Sequence, residues 1–179
     1  IMIIFSSKSN ATIDIWKNTI FSNFMNNDEF VKMQYLSAVV DVFGFDHARK
    51  EQEYAAKSIL EFMENLSIKK YFHLENVYRR WNYEWESHKR KAKEWDTKYI
   101  CKNVMKLQDE EARRMILILC SMHSDGYVRQ ESIQKLIQYK NSLPFLLMRL
   151  NDWVKQVRES AFITAMERIS KGNTEELLF

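Results

Sequence analysis

Between Tyr78 and Trp95 the chain reads YRRWNYEWESHKRKAKEW, which sets Arg79, Arg80, Lys89, Arg90, Lys91 and Lys93 among Tyr78, Trp81, Tyr83, Trp85 and Trp95. Cations neutralise phosphates and aromatic rings stack on bases, so this mixture suits nucleic acid. Residues 67–106 carry 11 Lys or Arg against 5 Asp or Glu, a local charge of +6, whereas the remainder sums to −3. The same residues also describe an amphipathic helix. Tyr71, Leu74, Tyr78, Trp81, Trp85, His88, Ala92, Trp95 and Tyr99 follow one another at alternating spacings of 3 and 4, which places the tryptophans inward and Lys89 to Lys93 on a solvated face.

Other groups capable of chemistry are scattered. His47, His73, His88 and His123 stand apart, and His88, on the aromatic stripe, is read as a packed side chain and not as a metal ligand. There is no Gly-rich phosphate loop, no G-x-S-x-G and no H-E-x-x-H. Asp41 with Asp46, or Glu84 with Glu86, could supply an acid and a base, but paired carboxylates are common on solvated helices. Neither catalysis nor a cofactor or metal is expected. Cys101 and Cys120 form no C-x-x-C pair and fall on apolar helical faces, where a reduced thiol packs as a small hydrophobe.

These side chains must be positioned by helices. Three Gly and one Pro in 179 residues are too few for the tight turns of a strand-based fold. A chain of this length buries about 70% of its unfolded surface, enough for a core without metal or disulfide. Thr12 is placed to cap a helix carrying Ile13, Trp16, Ile20 and Phe24. A second helix, with Phe30, Met33, Leu36, Val40 and Phe43 on one face, is expected to exit at Gly44 through a positive φ. Asp46 is placed to cap a third, with Ala55, Ile59, Phe62 and Leu66 inward. Tyr71 to Tyr99 reads as one long helix or two in line. The longest apolar run, Met115 to Cys120, is far short of the roughly twenty residues that span a bilayer. The opening IMIIF is too short for a secretory core and has no basic residue ahead of it, so a cytoplasmic protein that does not enter membranes is expected.

From Asp109 onward one pattern occurs twice. HSDGYVRQESI at 123–133 and NDWVKQVRESA at 151–161 align Val128-Arg129 on Val157-Arg158 at an offset of 29, with Ser132 and Ala161 three residues later. Leu117-Ile118 and Leu146-Leu147 share that offset, so two independent landmarks give one period. Each unit reads as a first helix, a turn with Asp, and a second helix.

Asp125, Val128, Arg129, Ser132 and Leu136 in one copy, and Asp152, Val157, Arg158, Ala161 and Ala165 in the other, resemble a HEAT repeat. The Asp to Val spacing differs, three residues in one copy and five in the other. The resemblance covers 109–171. It implies an all-α, right-handed α-α superhelix: a HEAT-like solenoid of antiparallel helix pairs over 1–179, with 11–107 forming divergent repeats or a cap and 173–179 starting a further helix. It implies that Arg129 and Arg158 belong to a structural ladder between turns, and that the function is a non-catalytic scaffold binding a protein partner on the concave surface lined by second helices. Gln130, Gln134, Lys155 and Glu159 are candidate groups there, and Trp153, in the turn, is either a contact anchor or a cover for the core between repeats. An exposed C-terminal repeat would favour self-association. The alternative is a nucleic-acid-binding helical-repeat protein using Arg79 to Lys93, similar in architecture to HEAT-like alkylpurine DNA glycosylases.

Overall fold

The computed structural model of the chain describes residues 39–64 and 95–172, together with Leu36, Glu75 and Glu175. Over these residues the fold is all-α. The helices are α1 (Arg49–Glu64), α2 (Ile100–Val104), α3 (Glu110–Cys120), α4 (Gly126–Leu136), α5 (Leu143–Met148) and α6 (Lys155–Ser170). Short 3-10 turns at Thr97–Tyr99 and Arg149–Asn151 lead into α2 and out of α5.

Local sequence explains the helix ends. The Asp109 carboxylate accepts from the Ala112 N–H at 3.0 Å and caps α3, and Asp125 accepts from the Tyr127 N–H at 2.8 Å and caps α4. Pro144 lies in the first turn of α5, where its missing N–H leaves no bond unmade. Asn141 at φ 57° and Gly172 at φ 81° turn the chain after α4 and α6, and Asn and Gly are the residues least strained there.

Met115 to Cys120, six consecutive residues of α3, are all buried. That is possible because α1, α2 and α4 pack around α3, so it needs no polar face there. The pairs α3–α4 and α5–α6 sit side by side, with α4 against α6 as the most extensive helix contact. Val128, Ser132 and Leu136 are buried on α4; Val157, Ser160, Ala161, Thr164 and Ala165 are buried on α6. Small side chains at 160, 161, 164 and 165 allow close approach of a neighbouring helix. Ala161→Leu, at a fully buried position, is therefore expected to destabilise the fold by about 1–3 kcal/mol through overpacking. A thermal midpoint equal to the parent's would contradict this packing.

Two expectations about the segment before α2 need correction. Tyr71 to Tyr99 is not an unbroken helix, because Trp95 is extended, paired with Phe45 in an isolated antiparallel bridge, and Asp96 is extended at φ −149°. The helical spacing of Trp95 is real, but its ring is engaged elsewhere. The indole N–H donates to the Asp41 carbonyl at 2.9 Å, and the Asp96 N–H donates to Gly44 O at 3.1 Å. Gly44, likewise, is needed for space and not for a positive φ, since a Cβ there would overlap the Trp95 indole. Further side chains hold the same turn. Asn103 Nδ2 donates to Phe43 O at 2.9 Å and Phe45 O at 3.2 Å, and Gln52 Nε2 donates to Phe45 O at 2.7 Å.

Candidate interaction surface

The repeated Val-Arg pair builds the most elaborate polar site among the described residues. Each arginine reaches back to the carbonyl six residues earlier: Arg129 Nη1 donates to His123 O at 2.7 Å, and Arg158 Nη1 to Asp152 O at 2.6 Å. Arg129 Nη1 also donates to Ser124 O at 2.8 Å. These bonds close each turn before its second helix.

Arg129 does more. Its Nε and Nη2 donate to Asp152 Oδ2 and Oδ1 at 2.9 and 3.0 Å, a two-pronged pair joining α4 to the turn before α6. Both side chains are buried, so the attraction acts with little screening and the geometry must offset the cost of removing two charges from water. Arg149 approaches from the 3-10 turn, with Nη1 at 3.6 Å from Asp152 Oδ2 and Nη2 at 2.5 Å from Glu75 Oε2. Arg129, Arg149, Asp152 and Glu75 thus form a charge-balanced network. Burial opposes ionisation of Asp152, but hydrogen bonds from Arg129 and the Val154 N–H, with the charges of Arg129 and Arg149, outweigh it and hold the carboxyl below its ordinary value.

The two turns differ in one respect that accounts for the unequal Asp to Val spacing. Each aspartate accepts from the N–H two residues on, Asp125 from Tyr127 and Asp152 from Val154 at 2.9 Å. Asp125 is itself the N-cap of α4, whereas α6 starts only after Val154, so two residues intervene before its first turn.

Trp153 is 70% exposed, with its ring over the Arg129 guanidinium at 5.2 Å. It covers the ion pair with one face and keeps most of its surface open. Gln134, Lys155 and Glu159 are exposed and Gln130 is half-buried, with Lys155 and Glu159 paired at 3.5 Å. Arg79, Arg80, Lys89, Arg90, Lys91 and Lys93 lie outside the described residues, as do 173–179 apart from Glu175.

Several buried polar contacts had no signal in the sequence. Asp41 and His123 lie 82 positions apart, yet both are buried with His123 Nε2 at 3.5 Å from Asp41 Oδ1. His123 Nδ1 accepts from the Asp125 N–H at 3.0 Å, which leaves Nε2 as the ring nitrogen on the side of Asp41. Arg149 and Glu75 are similarly remote in sequence. Cys101 and Cys120 are buried free thiols, as expected; burial and then the hydrogen bond with Cys101 push the Cys120 thiol well up. Among the described residues, no cluster of His, Cys, Asp or Glu could hold a metal ion, and no helix is long and apolar enough to cross a membrane.

No family model, curated protein or solved structure matches this chain.

Proposed function

We propose that the chain is a non-catalytic HEAT-type scaffold, a right-handed α-α superhelix whose second helices line a concave surface for a protein partner. The observation that carries this reading is the Arg129–Asp152 pair, which ties one helix pair to the next at the positions where the sequence pattern repeats. A stack fixed by interior ion pairs leaves the exposed side chains of α4 and α6, with Trp153, free to serve recognition. Such a scaffold works in the cytoplasm and needs no cofactor.

Nucleic acid is the alternative partner, favoured by the net charge of +6 over residues 67–106 and the aromatic residues between its cations. Fluorescence anisotropy of labelled single- and double-stranded DNA and RNA, at low and physiological salt, decides between the two. The scaffold reading expects no saturable binding at physiological salt. Saturable, salt-sensitive binding that persists there, and that weakens when Arg79 and Lys91 are changed to Glu, would overturn it. Base-excision assays would then follow.

A further inference from the structure

The offset of 29 that aligns the two Val-Arg pairs also aligns their helix flanks. Arg129, Ile133 and Ile137 form one stripe at spacings of four, matched by Arg158, Phe162 and Met166. On the first helix pair this stripe is covered: α6 packs on α4, Arg129 and Ile133 are buried, and Ile137 is half-buried. On the second pair Phe162 is 58% and Met166 49% exposed. The cations show the same difference. Both arginines close their own turn through a carbonyl, but only Arg129 meets a carboxylate, and among the described residues Arg158 pairs with none.

We propose that the Arg158–Phe162–Met166 flank of α6 is a docking surface for a helix of a partner protein preceded by a turn carboxylate. The contact continues the one already present between α4 and α6. The turn carboxylate occupies Arg158 as Asp152 occupies Arg129, and the apolar side of the incoming helix covers Phe162 and Met166. A second copy of the chain cannot repeat this contact, because its Asp152 is already bonded to its own Arg129 and the small-residue face of its α6 is buried. The surface lies on α6 alone and does not depend on a concave groove or on nucleic-acid binding.

The test uses the full chain and two labelled synthetic peptides. One spans residues 151–170, an acidic turn with its helix, and the other spans 143–170, with both helices of the pair. Saturable binding of either peptide is expected by anisotropy, lost with Phe162→Glu in the protein. Arg158→Gln in the protein and Asp152→Asn in the peptide should each weaken binding about tenfold, and together no more than either alone, as for two groups acting on each other. Circular dichroism and an unchanged thermal midpoint would establish that the variants remain folded. Absence of saturable binding by both peptides up to about 1 mM overturns the proposal. So does dimerisation of the protein, seen by sedimentation and abolished by Phe162→Glu, which would assign the face to a second copy. Deletion of residues 173–179 should leave peptide affinity unchanged; a tenfold gain would assign the face to the chain's own tail.

Discussion

Replacing Arg129 with Met is expected to lower the unfolding free energy by about 3–5 kcal/mol, the cost of leaving a buried charge without its partner. The substitution removes both prongs to Asp152 and uncovers the His123 and Ser124 carbonyls, so the turn before α4 and its link to α6 fail together. Against a total stability of about 5–15 kcal/mol, such a loss shifts the urea midpoint far outside experimental error. Arg129→Lys should recover only part of it, since a single ammonium cannot form two parallel bonds while reaching two carbonyls. Adding Asp152→Leu to Arg129→Met should restore some stability by removing the stranded carboxylate. Recovery is expected to be incomplete, because Arg149 then loses the Asp152 carboxylate and Val154 loses its acceptor. A loss under about 1 kcal/mol for Arg129→Met, the scale of an exposed pair, would show that the site contributes little.

The same pair sets a pH dependence whose sign is fixed. The folded Asp152 pKa lies below its unfolded value of about 3.9, so the stabilisation is fully present above that value and is lost as pH falls through the folded one. Urea denaturation between about pH 5 and pH 2 should therefore show an acid loss in the parent that is shallower in Asp152→Asn. Equal slopes would contradict the assignment.

Phe43→Ala is expected to cost about 3–5 kcal/mol by the same measurement. Phe43 is among the largest fully buried side chains, and its surroundings have little freedom to close on a cavity. Asn103 holds its carbonyl, Gln52 and Asn103 hold the carbonyl of Phe45, and the Trp95 ring lies against Gly44 while bonded to Asp41 O. These contacts come from α1, α2 and the extended residues before α2. Relaxation would have to break hydrogen bonds to save apolar contact, so the value should fall toward the upper part of the range. Phe43→Leu, which keeps most of the volume, should cost markedly less. Similar losses for Ala and Leu would mean that ring shape, and not the cavity, dominates.

Much of the fold is legible in the sequence because helices and their caps are local. Asp109, Asp125, Pro144 and Gly172 mark boundaries through bonds to residues two or three positions away or through their own backbone preferences. Val128, Ser132 or Ile133, Leu136, Val157, Ala161, Ala165 and Ile169 are set on one face by helical spacing alone, and all are buried except Ile169, which is half-buried. A structural part for Arg129 comes from the resemblance to a HEAT repeat and not from the spacing, and the buried pair with Asp152 gives it one.

What the tertiary structure alone decided are the contacts between distant segments. Spacing puts Trp95 on a helical stripe, yet its indole bonds a carbonyl 54 residues away and its backbone is extended. Gly44 suits a left-handed exit by sequence, but the crowding ring explains it. Asp41, His123, Arg149 and Glu75 carry no local mark of their pairing, because a buried polar contact requires only that two chain segments meet, at whatever separation. The sequence also makes Arg129 and Arg158 alike. Only packing distinguishes them: α6 brings Asp152 to the first, while the flank of α6 that carries the second stays open.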